Sequence, residues 1–303
     1  MPQGDCRYAY TAGTGGKFSV IDLADLDRPR EVRVVASPAS GPNAVFTRGA
    51  GHKWNLDGAG YAWHTGSAGT AVFDVRDPGN PVPVQATNAA GLTGPWNDFI
   101  HHNSHRPQAD RFRPGAAPSL ANGNVVLVTE EDYENTDCAT AGSLQTWYVP
   151  DLAGAAYRTA NPTLVPGRGS IRPLDRINPV ALGAGLSLPR EAFCSAHWFD
   201  YHPSGIVAQG YYQGGLRLVD VRDPAHLRQY GYFTTGASEV WDADWVPQRD
   251  RRGRVIGEPT NLAYVVDTVR GLDVVEVDLP AGGDADRSDQ VDDRRVTRAE
   301  RLR

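Results

Sequence analysis

The chain has 303 residues, of which 40% are hydrophobic and 22% charged, a composition that is ordinary for a soluble protein. The net charge of −6 argues against a basic face for nucleic-acid binding, and no apolar run reaches the roughly 18 residues needed for a membrane span. The 33 glycines and 22 prolines favour an all-β chain with many tight turns.

A short cassette recurs along the chain and organises the predicted elements. Its two clearest copies are residues 69–78 (GTAVFDVRDP) and 215–224 (GLRLVDVRDP), and weaker copies begin at Phe18 and Gly271. Each copy alternates apolar and polar residues, as a strand does, and the clear copies end in an Asp-Pro turn. One such unit cannot bury its apolar face alone, so the repeats predict stacked sheets, which here means a β-propeller.

The sheets of the predicted propeller, its blades, follow in chain order. We predict them over residues 7–37, 43–87, 97–175, 190–234 and 238–280. The first lacks a clear inner strand and the fifth a clear outer one, so these two ends are predicted to complete each other.

The predicted fold is therefore all-β, a single β-propeller of five four-stranded blades over residues 1–281. A sixth, divergent blade within residues 150–190 is the alternative. Residues 282–303 are polar and charge-dense, which predicts a flexible C-terminal tail.

Three cysteines bear on the compartment. Cys6, Cys138 and Cys194 do not have the spacing of a zinc cluster. A bond between Cys138 and Cys194 would indicate an oxidising compartment, and two separate buried thiols are the alternative. The first residues of the chain do not form a signal peptide, which leaves the location open.

The cassette resembles the LVIVD repeat of bacterial β-propeller proteins. Three other segments resemble one actinobacterial subgroup of these proteins: residues 101–107 (HHNSHRP), 129–135 (TEEDYEN) and 194–203 (CSAHWFDYHP). The resemblance implies the propeller fold and a secreted or surface location. It implies no particular reaction, because a fold by itself does not carry a function.

Histidines fall at similar heights on several predicted inner strands. Superposing the two clear cassettes places His52 within one residue of His197. Aligning Pro107 with Pro203 places His101 on His197. Residues at one height would converge on the propeller axis, where neutral imidazoles suit a divalent metal such as Cu, Fe or Zn. We predict His52, His101 or His102, and His197 as metal ligands, with Asp242, or alternatively Asp244, completing the set. Which of His101 and His102 faces the channel is a question of strand alternation that the sequence leaves open.

A second ring of candidates lies just before the turns into the cassettes. His64, Glu130 and Asp267 occupy these positions, and carboxylates mixed with imidazole at a channel mouth suit proton transfer. We predict them as catalytic groups if the protein is an enzyme. The structural alternative stays open for both rings, since buried histidines often bridge adjacent strands and Glu130 could lie in a solvated turn.

Three functions compete at this point. The first is a metal-binding propeller with an axial histidine site, including a metal-dependent enzyme that acts on a small molecule at the channel mouth. The second is a non-catalytic interaction module with a protein partner on a loop face, secreted or surface-associated. The third is a calcium-dependent hydrolase of lactones or esters, in which Asn43, Asn103, Glu130 and Asp242 would supply oxygen ligands. The excess of histidine places calcium second.

Overall fold

A computed structural model of the chain describes residues 6–13, 17–36, 51–67, 69–87, 96, 99–135, 138, 140–153, 171–178 and 192–280. This part of the chain contains five sheets of three or four antiparallel strands, with two short 3-10 helices, Ala109–Arg111 and Leu120–Asn122. The all-β prediction is therefore confirmed. None of the helices within these ranges has the length and hydropathy that crossing a bilayer requires.

The five sheets are each built from strands that are consecutive in the sequence. The first contains β1 (Tyr8–Tyr10), β2 (Lys17–Asp22) and β3 (Arg30–Ala36), and the second contains β4 (Gly51–Leu56), β5 (Tyr61–Gly66), β6 (Gly69–Asp74) and β7 (Val82–Ala86). The third contains β8 (Ile100–His105), β9 (Val125–Glu131), β10 (Leu144–Tyr148) and β11 (Arg172–Ile177). The fourth contains β12 (Phe199–His202), β13 (Ile206–Gly210), β14 (Leu216–Asp220) and β15 (Arg228–Phe233). The fifth contains β16 (Val240–Arg249), β17 (Val255–Asp267) and β18 (Gly271–Glu276).

The sheets follow the five predicted units, except that β11, the last strand of the third sheet, runs to Ile177, beyond the predicted end at residue 175. The first and fifth contain three strands in the described ranges rather than the four we predicted, and these are the two units in which the sequence showed an incomplete set. His197, which we placed on a predicted inner strand, precedes β12, because that strand begins at Phe199. That the five sheets are the blades of one propeller remains a prediction.

The chain divides into two compact units. The first comprises residues 1–118, 122–128 and 146–173, and the second comprises residues 119–121, 129–145 and 174–303. Each has its own apolar core. Trp63, Val126 and Trp147 are buried together in the first unit, and Leu216 and Trp245 are buried in one cluster of the second.

The cassettes end their strands through the same ion pair. In the second clear copy, the carboxylate of Asp220 accepts hydrogen bonds from Nε of Arg222 at 2.9 Å and from Nη2 at 2.6 Å. It also accepts a hydrogen bond from the backbone N–H of Arg222 at 3.0 Å. Asp74 and Arg76 make the same pairing in the first copy. Gly205 has a φ of +84°, and a Cβ there would lie 2.3 Å from Cγ of Arg222, so the arginine packs over a position that requires glycine. The repeat seen in the sequence is thus a repeated turn structure.

A disulfide joins two segments of the second unit. Cys138 and Cys194 are bonded and lie 56 positions apart in the sequence, which resolves the question that the sequence left open. Cys138 lies shortly after the end of β9, and Cys194 lies shortly before β12. The bond therefore ties the loop after Glu131 to the segment that contains His197.

Candidate functional site

Two histidines of the first unit form a close pair. His52 on β4 and His102 on β8 have ring centroids 4.0 Å apart. Nδ1 of His52 lies 3.2 Å from the backbone oxygen of His102, and Oγ1 of Thr65 donates to the same oxygen at 2.9 Å. Because a carbonyl oxygen can only accept, Nδ1 of His52 carries the hydrogen and Nε2 carries the lone pair. Burial lowers the pKa of His52, which favours this neutral form.

The neighbouring His101 points to the opposite face of β8. Its Nδ1 lies 2.8 Å from Oγ1 of Thr70, and its Nε2 lies 2.7 Å from the backbone oxygen of Trp96. Complete burial lowers the pKa of His101 to about 4, so the ring is neutral at physiological pH. Successive side chains of a strand alternate between its two faces, and the structure places His102 rather than His101 beside His52.

The second unit brings a histidine and a buried carboxylate together. Nε2 of His197 lies 3.6 Å from Oε1 of Glu131, the last residue of β9. Nδ1 of His197 donates to the backbone oxygen of Trp241 at 2.7 Å, and the hydroxyl of Tyr212 donates to Oε1 of Glu131 in a short hydrogen bond. Burial raises the pKa of Glu131, and the hydrogen bond from Tyr212 opposes that rise.

The hydrogen bond from His197 to Trp241 decides what the cluster can bind. Since Nδ1 donates to a carbonyl, the neutral ring presents the lone pair of Nε2 towards Glu131. The ionised carboxylate also presents lone pairs, and two acceptors at this distance repel each other unless a cation or a proton lies between them. The cluster is therefore suited to hold a positive charge between His197 and Glu131.

Tyr212 is held in an unusual backbone conformation. Its φ is +49°, a left-handed value that is uncommon for a bulky residue and that requires support from the surroundings. The support comes from reciprocal backbone hydrogen bonds with Val240 of 2.8 and 2.9 Å. The ring lies 5.1 Å from that of His197. The sequence analysis missed this residue because no sequence pattern predicts a left-handed tyrosine, and it gave no role to Glu131.

Two residues predicted as catalytic serve the local structure. Nε2 of His64 donates to the backbone oxygen of Ala12 at 2.7 Å, its ring stacks on Trp54 at 4.2 Å, and burial lowers its pKa to about 4. The carboxylate of Asp267 accepts backbone N–H groups of Glu239, Val269 and Arg270 at 3.1, 2.9 and 3.1 Å. Their catalytic role remains a prediction.

The other predicted residues also have partners. Glu130 is buried and accepts Nε2 of Gln145 at 3.2 Å, so it lies inside the sheet rather than in a solvated turn. Oδ1 of Asp242 accepts the backbone N–H of Ala243 at 2.9 Å. Asn103 accepts Nδ2 of Asn55 at 3.1 Å, and Asn43, the other proposed calcium ligand, lies outside the described residues. Metal binding by Asp242 remains a prediction.

Comparison with known proteins gives distant structural likenesses. No family model matches the chain, and a search among curated proteins found no match. The β-propeller domain of Cps50 (Swd1) from Myceliophteria thermophila is 12% identical, with a TM-score of 0.47 over 89% of this chain and 80% of that one. A Lactobacillus plantarum protein solved by a structural genomics consortium is 14% identical, with a TM-score of 0.46 over 90% and 69% of the two chains.

A third similar structure is Chaetomium thermophilum Sqt1 bound to the N-terminus of ribosomal protein L10. It is 14% identical, with a TM-score of 0.46, and the match covers 90% of this chain and 57% of that one. We draw no argument from likenesses of this degree. The bound ribosomal peptide is a property of Sqt1.

Proposed function

We propose that this protein is a β-propeller that binds divalent transition-metal ions through neutral imidazoles at two separate sites, one in each unit. The ligands of the first unit are His52 and His102, and those of the second unit are His197 and Glu131. The observation that carries the proposal is shared by His52 and His197. In both, Nδ1 donates to a backbone carbonyl, at 3.2 and 2.7 Å, which leaves Nε2 as the atom with the lone pair. Metal-binding histidines are oriented in this way, with the second ring nitrogen bonded to a carbonyl or carboxylate.

The ligand types select the class of metal. Imidazole nitrogen with a carboxylate oxygen suits Zn, Cu or Fe, whereas calcium is bound by oxygen ligands alone. Such an ion supplies Lewis-acid or redox chemistry when it is bound. If the protein acts on a small molecule, the proton-transfer groups proposed from the sequence are His64, Glu130 and Asp267.

The burial of the histidines supports the same proposal. The relative exposure of His102 is 1% and that of His197 is 4%. A neutral imidazole does not have to lose a proton before it binds a metal, and lowering the pKa of His52 by burial keeps that ring in the binding form to lower pH.

The experiment is a titration of metal-free protein with Zn²⁺ and Cu²⁺, with elemental analysis of the protein as purified. We expect His52→Ala and His197→Ala each to weaken binding at its own site by at least about a hundredfold, since the loss of an outer-shell partner alone costs about 10- to 100-fold, and to leave the site of the other unit unchanged. The matched control is His226→Ala, because His226 is exposed and pairs with Asp223 in a turn. Thermal melting of each variant shows whether the fold is retained. Equal affinity in all four proteins, or no transition-metal binding, would overturn the proposal.

A further inference from the structure

A cavity of about 310 Å³ opens in the first unit, away from the histidine pair. It lies where β4 ends and where β8 runs into the short 3-10 helix. Its lining combines apolar atoms with the polar residues Asn55, Ser104, His105, Gln108 and Asp110. This volume is at the small end of the range for ligand cavities, about 300 to 1,000 Å³.

A buried ion pair between Asp57 and Arg106 forms part of the cavity lining. Oδ2 of Asp57 lies 2.6 Å from Nη2 of Arg106, and it accepts hydrogen bonds from Nε of Arg106 at 2.8 Å and from Nε1 of Trp63 at 2.9 Å. Nη1 of Arg106 donates to the backbone oxygen of Gly123 at 3.1 Å, and the guanidinium lies 5.2 Å from the ring centroid of Phe112. The positive charge of Arg106 is therefore neutralised by Asp57.

The rim is held in a strained conformation. Gln108 has a φ of +51° and a ψ of +35°, left-handed values that a non-glycine residue adopts only when its surroundings impose them. The chain crosses close to it, since a Cβ at Gly123 would lie 2.2 Å from the backbone oxygen of Gln108. That oxygen also accepts the N–H of Arg111 at 2.8 Å. Strain of this kind is concentrated at ligand-binding sites, and here it fixes the position of an amide side chain at the cavity.

The chemistry of the lining excludes some ligands and favours others. Its one arginine is paired with Asp57 and it has no lysine, so a phosphate or carboxylate would find no free cation. Amides, a hydroxyl and a carboxylate offer both donors and acceptors, and Leu56 and Trp63 add apolar atoms. Such a mixture matches alternating hydroxyl groups and C–H surface on one small molecule. We propose that this cavity binds a neutral sugar of monosaccharide size.

The test uses a substitution that favours the observed backbone. Gln108→Gly removes the amide side chain but accepts a positive φ without strain, so the fold is expected to remain intact. Free glucose, galactose, mannose and N-acetylglucosamine are the probes, titrated by NMR, with inorganic phosphate as the anionic comparison. We expect saturable binding of at least one sugar, weakened about tenfold in Gln108→Gly by the loss of one hydrogen bond.

The matched control is Asn122→Ala, which removes an exposed amide of the same unit that is not part of the cavity lining. This variant should bind the sugar as the unmodified protein does. Binding of none of the four sugars, equal binding by Gln108→Gly, or preferential binding of phosphate would overturn the proposal. Metal affinity measured on the same samples is expected to be unchanged, so failure here is distinguishable from failure of the metal-site proposal.

Discussion

The histidine pair of the first unit and the histidine–glutamate cluster of the second share one device and differ in what surrounds it. His52 and His197 both fix their tautomer by donating Nδ1–H to a backbone carbonyl. In the first unit the neighbouring group is a second neutral imidazole, that of His102. In the second it is the buried carboxylate of Glu131, held by Tyr212. One tautomer can therefore face either an uncharged imidazole or a carboxylate, and the carboxylate is held by an additional hydrogen bond from Tyr212.

The disulfide between Cys138 and Cys194 also constrains the segments that carry Glu131 and His197. Removing it by Cys194→Ser should destabilise the second unit by about 4 kcal/mol, because the closed loop spans 56 residues of sequence and its entropy returns to the unfolded chain. Hydrogen exchange resolved by residue measures the loss in each unit. We expect protection to fall around Glu131 and His197 and to persist around His52. An equal loss of hydrogen-exchange protection in both units would show that the disulfide does not act specifically on the second unit.

Acidification should act with opposite sign through His64 of the first unit and through Glu131 of the second. Burial lowers the pKa of His64 in the first unit to about 4, against 6.5 when exposed. The folded state therefore disfavours the proton, and its stability is complete above pH 6.5 and falls by about 3 kcal/mol as the pH drops towards 4. Glu131 has a raised pKa, so its contribution instead favours folding at low pH and declines as the pH rises through the folded pKa.

Urea unfolding of metal-free protein across this range measures the effect. His64→Phe should reduce the slope of the acid limb without abolishing it, since Phe keeps the ring against Trp54 and has no titrating group, whereas the buried His101 still has a pKa lowered to about 4. His226→Ala is the control, because that imidazole is exposed. An acid limb of the same slope in His64→Phe would show that another group causes it.

Tyr212→Phe tests the support of the carboxylate in the second unit. The change keeps the aromatic ring beside His197 and removes the hydroxyl that donates to Glu131. We expect a loss of about 2 kcal/mol in the free energy of unfolding, because a buried carboxylate loses a charge-assisted hydrogen bond. Tyr264→Phe, at an exposed position of β17, should change stability by less than about 0.5 kcal/mol. Equal effects of the two substitutions would show that the hydroxyl of Tyr212 does not stabilise the carboxylate of Glu131.

The sequence predicted the sheets better than the site, for physical reasons. The cassettes predict β6 and β14 because the alternation of apolar and polar residues and the Asp-Pro turns are local sequence patterns. The structure has strands at Gly69–Asp74 and Leu216–Asp220. The site depends on which face a side chain takes, and a slip of one residue reverses it, so the sequence could not choose between His101 and His102. Tyr212 was hidden because its orientation depends on a left-handed backbone that is imposed by contacts with Val240.

X-ray absorption at the zinc edge of zinc-loaded protein tests coordination by the histidines most directly. Imidazole ligands give a multiple-scattering pattern that oxygen ligands lack. We expect this pattern in the unmodified protein, and a smaller imidazole contribution in both His52→Ala and His197→Ala than in His226→Ala. A coordination shell of oxygen atoms alone, or the same imidazole contribution in all of these variants, would contradict it.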